Sequence, residues 1–112
     1  MAQCIFCDIV AGKIPATKVH ETEDVLAFRD LHPQAPTHVL VIPKQHVSGL
    51  SALAPEHARA AGQVLLAVGE VARALKLTDY RVTINNGSGA GQTVFHLHLH
   101  LLGGRPFSWP PG

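Results

Sequence analysis

Near the C-terminal end, His96, His98 and His100 stand at every second position, with Leu97, Leu99 and Leu101 between them. In an extended strand successive side chains point to opposite faces, so the leucines share one face and the imidazoles the other. VFHLHLHLL, residues 94–102, therefore reads as a strand whose leucines face a core. YRVTIN, residues 80–85, has the same alternating character. With the glycine-rich NGSGAGQ, residues 86–92, as a tight turn, the two strands read as an antiparallel hairpin. HVLVIP, residues 38–43, is a strand that stops at Pro43, where the ladder loses a donor. VHETEDVLAFRD, residues 19–30, divides into two short strands about a turn at Glu21 to Asp24.

A second period is helical. Between residues 55 and 77, Ala61, Val64, Leu65, Val68, Val71, Ala72 and Leu75 recur at spacings of three and four, which makes one apolar stripe. Pro55 suits the first turn, and Glu56 the positive end of the helix dipole. Gly62 and Gly69 each lower helix propensity by about 1 kcal/mol relative to alanine, so this helix needs a sheet to pack on. CIFCDIVAGK reads as a short N-terminal helix stopped by Gly12 and by the extended preference before Pro15. GGRPFSWPPG, residues 103–112, is too rich in glycine and proline for regular structure. The sum is an α+β domain, an antiparallel sheet with one long helix on one face.

A chain of 112 residues fits one domain over 1–112, with a core modest enough that self-association is expected. The net charge of +1 supplies no basic field, and aromatic residues are only 5%, so neither duplex nor single-stranded nucleic acid is an expected partner. No apolar run approaches the roughly 20 residues that span a bilayer, so no membrane association is expected. MAQCIFCDIVAGK lacks a basic leader, which points to a cytoplasmic protein without a secretory signal.

Histidine is the anomaly, at 8 residues. A lone strand histidine is most often a surface or satisfied core residue. Three in strict alternation among leucines point to chemistry instead, because a solvated face would carry Lys, Glu, Thr and Ser. Imidazole titrates near about 6.5, and crowding penalises multiple protonation, so at least one ring stays neutral at pH 7. Rings along one twisted strand fan apart, which disfavours a metal held by this row alone and favours a nucleophile. Gly87, Gly89 and Gly91 ahead of the row let backbone N–H groups approach a phosphate as an anion-binding nest. The loop is no Walker motif, having no GKT or GKS and no following helix.

The run GQTVFHLHLHLLGG resembles the motif of the histidine triad (HIT) superfamily, three histidines separated by single hydrophobic residues and followed by two more. AFRDLHPQAPTHVLVIPKQH, INNGSGAGQ and the terminal WPPG are similar to its Hint branch, the purine nucleoside phosphoramidases, and the likeness runs from Cys4 to Gly112. The resemblance implies a HIT-like fold: a five-stranded antiparallel sheet, one long and one short N-terminal helix, and sheets joined across a homodimer. It implies His98 as the nucleophile that attacks the α-phosphorus, with His100 and His38 lining the phosphate site and His96 supporting the nucleophile through its carbonyl. Thr93 corresponds to a hydroxyl that bonds phosphate or leaving group, with Gln92, Gly91 and Asn85 beside it. Asp30 corresponds to the carboxylate that accepts both ribose hydroxyls, Leu31 to a residue against the base, and Trp109 to one near the partner's active site.

The implied activity is hydrolysis of purine nucleoside phosphoramidates and aminoacyl-adenylates to the nucleoside monophosphate, without an organic cofactor. Its rivals are hydrolysis of dinucleoside polyphosphates, which the WPPG ending argues against, and a non-catalytic nucleotide-binding scaffold. Cys4 and Cys7, spaced as CxxC, favour metal over a structural disulfide in a cytosolic chain. A tetrahedral zinc site wants four ligands, and His46 is a free candidate for the third. By resemblance to galactose-1-phosphate uridylyltransferases, His96 is the fourth, and the zinc would be structural. His20, His32 and His57 have no role in this reading.

Overall fold

The computed structural model describes residues 4–112. Helix α1 (Ile5–Val10) is followed by strands β1 (Lys18–Glu21), β2 (Val25–Arg29) and β3 (Thr37–Pro43). Helix α2 (Ala58–Ala74) then leads to β4 (Tyr80–Thr83) and β5 (Leu99–Gly103). The strands form one antiparallel sheet in the order β1-β2-β3-β5-β4, which leaves β1 and β4 as its edges.

The alternation of β2, β3 and β5 sorts their side chains onto two faces. Val25, Ala27, Val39, Val41, Leu99 and Leu101 pack against Val64, Val68 and Val71 of α2. Leu26, Phe28, Leu40 and Ile42 point the other way and pack against Phe6 and Ile9 of α1. Both faces of the central strands are therefore covered. β3 is buried along its whole length beyond Thr37.

The ends of the helices carry their own logic. Cys4 caps α1, its sulfur accepting the Cys7 N–H at 3.3 Å, and Gly12 turns the chain away at φ +78°. Helix α2 is preceded by a 3-10 turn at Pro55–His57, where the His57 ring accepts the Ala54 N–H at 2.9 Å. The ring that sequence left without a role is thus a helix cap. The helix stops earlier than the apolar stripe suggests, because Lys76 takes a left-handed φ of +60° and the Leu77 N–H closes onto the Ala72 carbonyl at 2.8 Å.

The final strand differs from the 94–102 expected of it. Its ladder with β3 runs only from Val41↔Leu99 to Thr37↔Gly103, and residues 94–96 are a bend. The reason is Pro43, which has no N–H to continue the ladder, so its carbonyl takes the His96 ring and Leu97 N–H goes to Val47 instead. β4 and β5 do pair antiparallel, Thr83↔His100 to Tyr80↔Gly103, but across a long connection rather than a tight hairpin. Among the described residues no helix is long and apolar enough to cross a membrane.

Candidate active site

The imidazoles stand on the α1 side of the sheet, and that side is closed rather than solvated. His96 is wholly buried, and His98 keeps 8% of its surface. Phe6 meets the rings of both edge-on, at 5.1 Å from His98 and 6.0 Å from His96. Phe6 was invisible to motif reasoning, since its only signal is an apolar residue between two cysteines.

Backbone partners decide the tautomers, because a carbonyl can only accept and an N–H can only donate. The His96 carbonyl lies 2.7 Å from His98 Nδ1, so His98 donates there and its Nε2 keeps a bare lone pair. The Pro43 carbonyl lies 2.8 Å from His96 Nε2, so His96 donates from Nε2 and its Nδ1 is bare. The Gln34 N–H donates to His38 Nδ1 at 3.0 Å, which leaves the His38 proton on Nε2. That proton points at His100 Nδ1, 2.9 Å away, and the Asp30 carboxylate stands 3.4 Å from the same Nε2. A neutral His100 accepting on Nδ1 carries its own proton on Nε2. The row thus alternates a lone pair at His98 with a donor at His100.

Burial favours the uncharged form of His38, His96 and His100. It is the main cause pushing the His100 pKa down to about 4, with the neighbouring His98 and His38 adding to it. Burial also lowers His38, against the pull of Asp30. His96 is lowered by burial too, opposed by its bond to Pro43. A neutral imidazole with a free Nε2 can attack an electrophilic phosphorus, and a neighbouring N–H can hold a phosphoryl oxygen.

The loop before the row is closed by bonds of its own. Gly87 and Gly91 take φ of +92° and +95°, conformations that suit glycine. The N–H groups of Ala90, Gly91 and Gln92 return to carbonyls of Gly87 and Ser88, and that of Gly87 goes to Gln92 Oε1. The Gly91 N–H thus meets the Ser88 carbonyl inside the loop. Gln92, buried, also gives its amide protons to the Ser48 and Val94 carbonyls, so its side chain braces the loop. Asn85 is half-buried beside Gly91, and Thr93 is exposed.

A mainly apolar cleft of about 270 Å³ opens on the same face of the sheet. Phe6, Ile9, Phe28, Leu31, Asp30 and Thr93 are among its walls. His98 is not in its lining but sits behind Phe6, and Leu40 of the cleft is paired across the ladder with His100. Asp30 is held there by the His32 N–H, 2.7 Å from Oδ1. Leu31 is 88% exposed at the cleft, whereas Trp109, 81% exposed on the tail, is not part of it.

A model of the HIT domain matches residues 11–107. The chain belongs to the HIT family. It is 56% identical over 109 residues to an uncharacterized HIT-like protein of Synechocystis, covering 96% of both chains. It is 49% identical to a 14 kDa zinc-binding protein of Zea mays, covering 96% of this chain and 87% of that one. The solved structure of a HIT family hydrolase from Legionella pneumophila superposes with a TM-score of 0.95 at 46% identity, covering 98% of this chain and 100% of the other.

Beside the triad of this HIT-family chain stands a second cluster, Cys4, Cys7, His46 and His96, whose ligand atoms all lie within 4.8 Å of one another. His96 Nδ1 is 3.4 Å from Cys4 Sγ, 3.6 Å from Cys7 Sγ and 3.1 Å from His46 Nδ1, and Cys7 Sγ is 3.3 Å from His46 Nδ1. Around a tetrahedral ion with bonds of about 2.0–2.3 Å, neighbouring ligand atoms stand about 3.3–3.8 Å apart, so the four fit zinc. One bare lone pair on His96 cannot satisfy three such neighbours by hydrogen bonds, but a cation at their centre can. Asp30, His38 and His100 also converge within 4.8 Å. There the fit fails, because His38 Nε2 must carry a proton and offers no lone pair. The first cluster suits a metal, the second a proton chain.

Proposed function

We propose that this HIT-family chain hydrolyses purine nucleoside phosphoramidates through a nucleotide attached covalently to His98. The observation that carries the reading is the 2.7 Å bond from His98 Nδ1 to the His96 carbonyl, which leaves Nε2 as a lone pair. The nucleoside would occupy the apolar cleft, with its sugar at Asp30 and its base against Leu31 and Phe28. His98 Nε2 then attacks phosphorus, the P–N bond breaks, and the amine leaves with a proton. Water next cleaves the phosphorus–histidine bond and returns the ring to its resting state. In this reading the His100 Nε2–H would meet charge gathering on the phosphoryl oxygen, and Thr93, on the wall of the cleft, would bond the leaving group. A donor so placed is worth about 10²- to 10³-fold in rate.

Four residues, Cys4, Cys7, His46 and His96, would hold a structural zinc. The likeness to the 14 kDa zinc-binding protein of Zea mays supports that metal for this chain. Bound there, zinc would supply no redox chemistry and would clamp α1 to the segment that carries the nucleophile. Because His96 gives its ring to this cluster and its carbonyl to His98, holding one holds the other.

The exposed surface supports a homodimer. Edge strand β4 exposes Tyr80 and Val82, and α2 exposes Leu65 and Leu66 at 61% and 66%. Pairing two β4 edges would join the sheets and bury this apolar surface. The unpaired thiols of Cys4 and Cys7 suit a reducing, cytoplasmic setting.

The test is mass spectrometry of protein quenched during turnover of adenosine 5′-phosphoramidate. An adenylyl adduct on His98 is expected; an adduct on another residue overturns the assignment. Faster turnover of diadenosine polyphosphates would move the chain to that chemistry.

A further inference from the structure

Helix α1 belongs to both candidate sites. Cys4 at its cap and Cys7 in its first turn carry two of the four candidate metal ligands. Ile5, Phe6 and Ile9 of the same helix line the apolar cleft, to which the sheet contributes Phe28 and Leu40. Phe6, between the two cysteines, meets the ring of Phe28 edge-on at 5.4 Å and that of His98 at 5.1 Å. Two kinds of contact tie this helix to the body of the protein. One is apolar, the burial of Phe6 and Ile9 with Leu26, Leu40 and Ile42. The other is polar and, among the described residues, runs only through sulfur. Cys4 Sγ reaches His96 Nδ1, and Cys7 Sγ reaches the Nδ1 atoms of His46 and His96. The backbone bonds of residues 4–10 close locally, none of them beyond Ile14. A helix of six residues has little stability of its own. Thiol–imidazole hydrogen bonds hold it weakly, whereas ligation of one ion by both cysteines holds it strongly.

We propose that metal bound at Cys4, Cys7, His46 and His96 sets the affinity of the cleft for a nucleoside, because the helix so held is also a wall of that cleft. This rests on the nucleotide and zinc readings above and adds a coupling between them. Without metal, α1 samples positions away from the sheet, and the wall made by Ile5, Phe6 and Ile9 is in place only part of the time. A nucleoside then binds only the fraction of molecules with the wall in place, and its apparent affinity falls by that fraction. The effect is reciprocal: a nucleoside that selects the placed helix tightens metal binding by the same factor. Phe6 is the central residue of the coupling, since it lies between both ligating sulfurs, on the cleft and against the ring of His98.

The experiment measures adenosine binding by calorimetry to zinc-loaded and to metal-free protein. Adenosine is the probe because it has no phosphate with which to reach the metal directly. The zinc-loaded protein is expected to bind it about fivefold more tightly or better, the low end of coupling between linked sites. Zinc affinity, read by competition with a chromophoric chelator, should rise by the same factor when adenosine fills the cleft. Amide hydrogen exchange locates the cause. Removing zinc should speed exchange at Asp8 and Ala11, whose N–H groups close the helix, and adenosine should slow it again. Equal adenosine affinities in the two metal states overturn the coupling and leave the nucleotide reading standing. Exchange that quickens over the whole sheet rather than in α1 overturns the helix as its carrier. A chain that takes up no zinc loses the metal site and the coupling together. If neither adenosine nor AMP binds either form, the nucleotide reading falls and takes the coupling with it.

Discussion

The carbonyl of His96 accepts the Nδ1–H of His98 at 2.7 Å, while the ring of the same His96 turns to the two cysteines. One residue therefore orients the candidate nucleophile through its backbone and joins the candidate metal site through its side chain. The two sites are covalently one.

Their functions are nonetheless separable. His98→Gln should lower turnover of a nucleoside phosphoramidate by about 10³-fold or more, since the lone pair on Nε2 is lost. Metal content should stay unchanged, because His98 is no part of the Cys4–Cys7–His46–His96 cluster. Steady-state kinetics with elemental analysis of the same preparation checks both halves; substantial residual turnover would contradict the mechanism.

Metal uptake should release protons. Without metal, burial pushes the Cys7 thiol up to about 11, with the adjoining Cys4 adding to the shift, so at neutral pH the thiol is protonated and must give up its proton to bind zinc. Affinity should therefore rise with pH, and adding zinc to metal-free protein in weak buffer should acidify it. Cys4→Ser is expected to cut zinc from about one per chain to a small fraction and to lower the melting temperature. Full zinc content in that variant would remove the site.

Acid should loosen the fold through His100. Its folded pKa of about 4 lies below the ordinary value of 6.5, so between those limits the unfolded chain binds the extra proton. Stability is unaffected by this group above about pH 6.5 and declines as pH falls toward 4. His100→Asn should flatten that slope in urea unfolding followed in the presence of a chelator. An unchanged slope would mean His100 is readily protonated in the folded state.

Lys76 offers a stability test remote from both sites. At φ +60° a residue with a Cβ is strained by about 1–2 kcal/mol, and glycine adds about 0.5–1 kcal/mol of unfolded-state entropy. Lys76→Gly should therefore raise stability by about 0.5–1 kcal/mol, read as a higher denaturation midpoint with unchanged slope. A loss of stability would show that the lysine side chain contributes more there than its backbone costs.

Legibility in the sequence followed the range of the physics. The leucine alternation of β5, the stripe of α2 and the stop at Gly12 are local, since each depends on residues within a turn or two. The five strands and the α+β class were readable for that reason, and the likeness of HLHLHLL and WPPG to HIT proteins located the candidate triad. Of the cluster Cys4, Cys7, His46 and His96, the CxxC pair and His46 were readable as candidates, and only His96 was reached through resemblance, because ligands from distant segments leave no local period. The shortening of β5 escaped because it depends on what Pro43 faces. The bonds that Gln92 and Gly91 make inside the loop escaped because a loop N–H or amide offered to a ligand looks, in sequence, the same as one that meets a neighbouring carbonyl.

By itself the sequence determined which residues are apolar, where they repeat and which side chains can ligate, attack or titrate. Only the tertiary structure decided which nitrogen of each ring bears the proton. That choice belongs to the carbonyls of Pro43 and His96 and the N–H of Gln34, backbone groups brought to the rings by folding. The side chain supplies two equivalent possibilities, and the partner that folding places against one of them selects the chemistry of the other.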